Sequence, residues 1–162
     1  MKDKELQLQN LIKLRKAHPE DASFIFNSWL KSFRFSKFSK EISSTIYFTN
    51  HHKVIEYLLK SKTTVIACNN EDPTQIFGYA NAGLEEGVLV VNYIYVKESF
   101  RRLGLGKILL NAFEHSPEAA SVFTHKTSIA DKLAAKYNMH YHPYLMFPNL
   151  DEVIDEEESS EE

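Results

Sequence analysis

The segment "VKESFRRLGLGKILL" (residues 96–110) decides the fold, because it leads from a buried strand through a turn with two glycines into an amphipathic helix. Before the turn, eight of the nine residues in 88–96 are apolar or aromatic, which is typical of a strand covered on both faces. After the turn, Leu105, Ile108 and Leu109 recur with helical spacing. The segment therefore predicts a central strand, a turn and a helix.

The turn has the composition of an anion-binding site. At the start of a helix the first backbone N–H groups lack partners and lie at the positive end of the helix dipole, which is an arrangement that binds phosphate. Gly104 and Gly106 carry no side chain to block a close approach, and Arg101, Arg102 and Lys107 supply positive charge. We predict that this turn binds a diphosphate.

Two common nucleotide motifs do not fit the turn. A dinucleotide-binding fingerprint needs a third glycine where Leu109 stands, and a P-loop needs a glycine at Arg101 and a Ser or Thr at Ile108. The spacing that remains is R-x-x-G-x-G, over residues 101–106.

Composition and charge favour one domain with an acidic tail. The chain has 162 residues, 43% of them hydrophobic, which is enough for one sizeable core. Residues 151–162 hold eight of the 22 acidic residues and none of the 19 basic ones, so residues 1–150 carry 19 basic and 14 acidic side chains, a net +5. This charge suits an anionic small ligand better than duplex DNA. We predict a domain over 1–150 and a disordered tail over 151–162.

Cysteine content and hydropathy limit the cellular context. The single Cys68 excludes an intramolecular disulfide framework and a cysteine-based zinc site. The sequence contains no signal-peptide core and no apolar run long enough to cross a bilayer. We expect a soluble, cytoplasmic protein.

The hydrophobic pattern predicts alternating strands and helices in a single domain. Strands are predicted over 11–17, 63–69, 75–84, 87–96, 120–125 and 140–147, and helices over 18–33, 51–61, 104–115 and 127–137.

This element order, with R-x-x-G-x-G after a strand ending in "YIYV", resembles the GNAT acyltransferase superfamily over residues 11–147. The resemblance implies an α/β (α+β) fold, a single GNAT-like domain with a mixed sheet of about six to seven strands, splayed at the fourth and fifth, and about four flanking helices. Residues 93–110, with "SWLKS" (28–32) upstream and "HYHPYL" (140–145) downstream, more closely resemble small GNAT proteins encoded by phages and prophages. The host would then be a bacterial or phage-infected cell.

The resemblance implies acetyl-CoA as co-substrate and no metal. It places the pantetheine arm along the fourth strand, the acetyl carbonyl near the Val96 amide, and the pyrophosphate on the turn. The family segment N-x-x-A-x-x-L-Y aligns with "TSIADKLA", which makes Thr127 a pantetheine contact. The cofactor-binding residues implied are Ile94, Tyr95, Val96, Arg101, Arg102, Leu103, Gly104, Leu105, Gly106, Lys107 and Thr127.

The catalytic positions depart from the family pattern. Ala134 replaces the tyrosine that commonly protonates the thiolate, so Tyr137, one helical turn further on, is the candidate acid. Val90 and Asn92 stand where relatives place a glutamate or histidine, and Asn92 can orient the amine or a water but cannot take a proton. The pair 85–86, two glutamates, is either a base acting through water or an acidic surface turn.

Two further features have competing interpretations. Residues 31–40 alternate basic and aromatic side chains, which is typical of a solvated loop anchored by phenylalanines, of an acceptor-site wall, or of a surface for single-stranded nucleic acid. His125, His140 and His142 lack the Cys or carboxylate partners of a recognisable metal site, and 51–52 are predicted to lie in a loop.

These observations support two functional hypotheses. In the first, the protein transfers an acetyl group from acetyl-CoA directly to a primary amine of a small molecule or protein, as a monomer or homodimer, without nucleic acid or membrane partners. In the second, it is a catalytically weak or inactive GNAT-fold module, such as a phage accessory, that binds CoA or a protein. The departures at Val90, Asn92 and Ala134 favour the second.

Overall fold

A computed structural model describes residues 2–113 and 120–147, so the predicted acidic tail lies outside the described residues. Six strands form one sheet in the order β1-β2-β3-β4-β5-β6. They are β1 (Ile12–Lys16), β2 (Thr63–Asn69), β3 (Ile76–Glu85), β4 (Val88–Val96), β5 (Ser121–Phe123) and β6 (Met139–Tyr141). The helices in the described residues are α1 (Lys2–Leu11), α2 (Ala22–Arg34), α3 (Lys37–Lys40), α4 (Ser44–Ser61), α5 (Leu105–Asn111) and α6 (Ser128–Lys136).

The sheet is mixed. Strands β1 to β4 pair as an antiparallel meander, whereas β4, β5 and β6 pair in parallel. Parallel neighbours need a crossover connection. Here α5 lies in the connection from β4 to β5, and α6 lies in the connection from β5 to β6.

Helices cover both faces of the sheet. One hydrophobic cluster joins Leu105 and Leu109 of α5 and Ala130 of α6 to one face. The other cluster packs α2 and α4 on the opposite face, with Trp29 and Leu58 fully buried. Strand β4 is buried at every position except its first and its eighth, which confirms the prediction of a central strand covered on both sides.

The helices differ most from the sequence expectation. Six are present in the described residues rather than about four, because the polar segment 2–11 forms α1 and because α3 follows α2. Helix α4 begins at Ser44 instead of residue 51, since Ser43 caps it by accepting a hydrogen bond from the Ile46 N–H at 3.4 Å. The pair 51–52 therefore lies in a helix and not in a loop.

The last predicted strand was too long. Pairing ends at Tyr141, and Pro143 begins a 3₁₀ turn over Pro143–Met146, because proline lacks the N–H that a strand ladder requires. Helix α5 ends at Asn111, ahead of the predicted end at residue 115. No helix within residues 2–113 or 120–147 has the length and apolarity needed to traverse a membrane.

Gly78 of β3 provides a test of the β3–β4 pairing. A Cβ atom at Gly78 would lie 2.5 Å from the Tyr95 backbone oxygen, so Gly78→Ala must push β4 away, and we expect it to lower the free energy of unfolding by about 2 kcal/mol. In the control Gly106→Ala, the added Cβ meets Leu133 at 3.6 Å, an ordinary contact, so the change should stay within about 1 kcal/mol. Urea unfolding measures both, and equal stability of the two variants would contradict the pairing.

Candidate active site

The β4 and β5 strands separate halfway along β4. Their pairing covers only Leu89↔Ser121, Val90↔Val122 and Val91↔Phe123, and the Thr124 N–H then donates to the Val91 carbonyl at 3.0 Å. In the described residues no strand pairs with 92–96 on the β5 side. An opening therefore forms between the fourth and fifth strands, as predicted.

A β-bulge lies where the strands separate. Asn81 pairs with Tyr93, but the next residue of β3, Ala82, pairs with Val91, so Asn92 is an extra residue in β4. A bulge increases the local bend and twist of its strand. The bulge lies one residue after the last β4 residue that pairs with β5.

The bulge leaves backbone groups of β4 directed into the opening. The Lys97 N–H donates to the Phe77 carbonyl at 2.8 Å, which belongs to the pairing with β3. Backbone groups alternate sides along an antiparallel strand, so the N–H groups of Val96 and Ile94 face away from β3. The side chains of Ile94 and Val96 are buried among the residues packed by α5 and α6.

The glycine-rich turn ends at the start of α5. Gly104 has φ +85° and forms the N-cap of α5, and Arg102 also has a positive φ of 69°. A Cβ atom at Gly104 would meet nothing within 4 Å, so this side of the turn is open. Within the described residues no side chain caps the first N–H groups of α5. The turn thus presents unpaired donors, with the exposed side chains of Arg102 and Lys107 beside them.

Three sequence-predicted residues also have structural roles. Arg101 Nε donates to the Val96 carbonyl at 3.0 Å and ties the turn to the end of β4, so its side chain is less mobile than expected. Gly106 faces Leu133 and allows α5 and α6 to approach. Thr127 caps α6, because its hydroxyl oxygen accepts from the Ala130 N–H at 3.1 Å.

The candidate catalytic residues lie in different surroundings. Tyr137 follows α6 and packs against the cluster under α5 and α6. Asn92 is 1% exposed, donates through Nδ2 to Asn81 Oδ1 at 2.9 Å, and accepts through Oδ1 from Thr124 Oγ1 at 3.0 Å. Both side-chain polar atoms of Asn92 therefore have hydrogen-bond partners within the protein. Thr124 connects Asn92 to the next groups of the network.

A buried histidine pair continues this network, and the sequence did not predict it. Thr124 Oγ1 lies 3.0 Å from His125 Nδ1, and His125 Nε2 lies 2.9 Å from His51 Nε2. Aromatic rings surround the pair; they belong to Trp29, Phe33, Tyr47 and Tyr93. The described residues contain no group of three or more His, Cys, Asp or Glu side chains that could hold a metal ion.

Burial keeps both histidines neutral. It lowers the pKa of His51 to about 4, and it lowers the pKa of His125 well below its ordinary value, with a smaller contribution from the neighbouring His51. At pH 7 each ring therefore carries one proton, and each has one nitrogen that donates and one that accepts.

The structure also places the other candidate segments. Residues 31–40 form the end of α2, a turn and α3 rather than a loop, and Phe35 and Phe38 are 73% and 57% exposed, so only Phe33 is an anchor. A groove beside them is lined by Asn27, Leu30, Lys31, Arg34, Phe35 and Phe48. Glu85 forms an ion pair with Lys62, which favours a structural role for this glutamate.

The histidine pair makes the stability of the fold sensitive to acid. The unfolded chain binds a proton on His51 near pH 6.5 and the folded chain only near pH 4, so stability falls as pH falls through this window. We expect His51 alone to cost about 2 kcal/mol at pH 5 relative to pH 7. Urea unfolding at both pH values should show a smaller loss for His51→Gln, and equal losses in the two proteins would contradict the assignment.

Comparison with known proteins supports the fold and the family. Residues 23–131, more than half of the chain, match the family model described as the acetyltransferase (GNAT) family. A search of curated proteins finds no significant match.

Solved structures with low sequence identity share the architecture. The structure described as histone acetyltransferase HPA2 and related acetyltransferase, from Corynebacterium glutamicum, is 13% identical, with 78% of this chain and 83% of that chain covered and a TM-score of 0.56. YjaB from Escherichia coli, in its apo form, is 18% identical, with 78% of each chain covered and a TM-score of 0.51.

A GNAT family acetyltransferase from Staphylococcus aureus is 20% identical, with a TM-score of 0.45, and the match spans 62% of each chain. The family match and the shared architecture of the other two structures agree with the fold described above. The chain belongs to the GNAT acetyltransferase family.

Proposed function

We propose that this protein is an N-acetyltransferase that transfers an acetyl group from acetyl-CoA to a primary amine. The observation that carries the proposal is the opening between β4 and β5, where, among the residues that the structure describes, the Val96 N–H has no strand partner and the turn at the end of the opening presents unpaired donors. Membership of the GNAT family supports acyl transfer as the reaction class.

The open edge of β4 and the turn would hold acetyl-CoA. The pantetheine arm, which has amide groups, would pair with the backbone of Ile94, Tyr95 and Val96 in the manner of an added strand. The pyrophosphate would accept hydrogen bonds from the N–H groups of 103–107, with charge from Arg102 and Lys107. Arg101 would contribute by holding the end of β4 beside the turn.

Thr127 and Val96 would complete the binding site for acetyl-CoA, the acetyl donor. The Thr127 oxygen accepts from the Ala130 N–H, so its hydroxyl hydrogen is available to a pantetheine carbonyl. The Val96 N–H would donate to the thioester oxygen as that oxygen gains negative charge. This contact is stronger in the transition state than in the ground state, so it would raise the rate of transfer.

The amine would arrive from the side of α2 and α4. Its nitrogen forms a bond to the acyl carbon, the carbon–sulfur bond breaks, the amine loses one proton, and the thiolate gains one. Tyr137 is our candidate for the acid, and Asn92, through Thr124, is our candidate for orienting the amine or a water. Positioning the two reactants contributes much of the acceleration in such a reaction.

The acceptor remains defined only by class. On the α2–α4 face, Lys31 and Arg34 flank a groove that contains the exposed ring of Phe35. Positive charge repels polycations, so this face favours a single amine on a neutral or acidic molecule over a polyamine. The resemblance to phage-encoded members, the cytoplasmic location, and a monomeric or homodimeric state rest on the sequence alone and stay predictions.

Calorimetric titration with acetyl-CoA and CoA tests the binding site. We expect saturable binding by the wild type, and a loss of tenfold or more in the double variant Arg102→Gln, Lys107→Gln, because two charge-assisted contacts disappear. The control Lys13→Gln removes an exposed cation from β1, an edge strand separated from β4 by β2 and β3, and should bind as the wild type does. Absence of binding by folded wild type would overturn the proposal.

An acceptor screen separates the two functional hypotheses. Mass spectrometry would follow acetylation of propylamine, spermidine and a peptide with an acidic sequence and a free N-terminus, with propylamine and the peptide expected to react better than spermidine. Wild type that binds acetyl-CoA but acetylates none of a broad amine panel would favour the alternative of a CoA-binding module.

A further inference from the structure

The buried polar network has one consistent direction, which begins at a backbone carbonyl. The Leu58 carbonyl can only accept, and Asn81 Nδ2 donates to it at 3.1 Å. Nδ2 also donates to Thr64 Oγ1 at 3.0 Å. The oxygen of the Asn81 amide must then be the atom that accepts from Asn92 Nδ2. The orientation of both amides is therefore determined.

The same logic continues to the first histidine. Because Asn92 donates through its nitrogen, its oxygen faces Thr124 and accepts the single hydroxyl proton of that residue. The Thr124 oxygen has no proton left, so His125 Nδ1 must carry one and donate to it. A neutral His125 ring holds one N–H proton, here on Nδ1, so its Nε2 atom carries a lone pair and can only accept.

The direction of the chain then determines the tautomer of His51. His125 Nε2 accepts, so the His51 Nε2 atom that lies 2.9 Å away must be protonated and donate. In a neutral ring the remaining nitrogen, Nδ1, carries the lone pair. The Leu58 carbonyl thus sets, through four side chains, which nitrogen of His51 is free to accept.

The Nδ1 atom of His51 is accessible from outside the network. No hydrogen bond within the described part of the chain engages it, and it is not among the buried polar atoms that lack a partner. Among the described residues Nδ1 is thus without a hydrogen-bond partner yet not fully buried, and the residue as a whole is 7% exposed. His51 lies on α4, and its ring contacts Phe33, Tyr47 and His125.

The location relates His51 to the reaction. His125 follows β5 by two residues, at the point where β4 and β5 separate. The pair packs under α2 and α4, whereas the glycine-rich turn belongs to the face covered by α5 and α6. A lone pair on this face of the sheet lies on the side from which, under the proposed function, an acceptor amine would approach.

We propose that His51 Nδ1 accepts a hydrogen bond from an N–H group of the acceptor substrate, directly or through one water, and so selects and orients an amine in the opening. The inference rests on the proposed function, because it names the residue that receives the second substrate. Asn92, Thr124 and His125 are then positioning residues, since they act by holding the tautomer of His51.

The surroundings of His51 keep its Nδ1 atom a hydrogen-bond acceptor at neutral pH. Within the described part of the chain, the ionisable groups near the ring are His125 after β5, Tyr93 on β4, Tyr47 on α4, and Arg34 on α2, whose guanidinium lies over the Tyr47 ring. Burial raises the pKa of Tyr47 and of Tyr93, so both stay uncharged where His51 titrates. Burial lowers the pKa of His51, which leaves Nδ1 unprotonated above about pH 5.

Two substitutions distinguish the loss of the substrate contact at His51 from a loss of fold stability. In His51→Gln the side-chain nitrogen can replace Nε2 as donor to His125, but no atom replaces Nδ1. In His51→Asn the side-chain oxygen lies near the position of Nδ1, but His125 loses its partner. We expect His51→Gln to keep the melting temperature and the acetyl-CoA affinity while kcat/KM for the amine falls tenfold or more, mostly through KM.

The pH dependence of kcat/KM and the His51→Asn variant supply two further tests. The ratio of wild-type to His51→Gln kcat/KM should stay high down to about pH 5 and decline toward 1 only as pH falls through about 4, because protonated His51 no longer accepts. His51→Asn should be less stable than His51→Gln yet have the lower KM of the two. Wild-type values of KM and an unchanged ratio across pH in His51→Gln would overturn the proposal.

Nitrogen-15 NMR of the histidine rings tests the inference without turnover. We expect a protonated Nε2 in His51 and a protonated Nδ1 in His125, and we expect propylamine, added to the CoA-bound protein, to shift His51 Nδ1. The opposite tautomers, or no response to propylamine, would overturn the inference. Lack of acetyl transfer with both NMR results intact would instead overturn the proposed function and leave His51 as an amine-binding residue.

Discussion

The extra residue in β4, Asn92, is the constraint on which the site depends. The bulge lies where the ladder between β4 and β5 ends, and beyond it the N–H groups of Ile94 and Val96 face away from β3 into the opening. The bulge also buries an amide, which must find partners. Asn81 and Thr124 supply them, so the same residue that bends β4 also anchors the polar network beside the opening.

Under the proposed function, the two faces of the sheet would each receive one of the two substrates. The α5 and α6 face carries backbone donors and exposed cations suited to phosphate, whereas the α2 and α4 face carries aromatic rings and neutral imidazoles. Charged groups near the opening on the second face would be costly to bury. The histidines avoid this cost by staying neutral, and their hydrogen-bonding capacity is directed by neighbours with unambiguous donor and acceptor atoms.

Local patterns predicted strands better than helix ends. The strand over Thr63–Asn69 was predicted with its observed bounds, β3 was displaced by one residue, and β4 was predicted one residue too long at its start, because their hydrophobic content and flanking turns are strong local signals. The start of α4 was missed because residues 44–50 are rich in β-branched and aromatic side chains, and Ile46 and Phe48 are partly exposed. A capping serine outside the predicted range decided that boundary.

The sequence by itself determined the central strand, the glycine-rich turn, the helix after it and the resemblance to the family, since each depends on residues adjacent in the chain. Tertiary structure alone decided that Asn92 is a bulge residue, that Arg101 holds the end of β4, and that His51 meets His125. The two histidines are 74 residues apart, and no periodic pattern links them. Their contact depends on how α4 packs across the sheet, which only the folded chain defines.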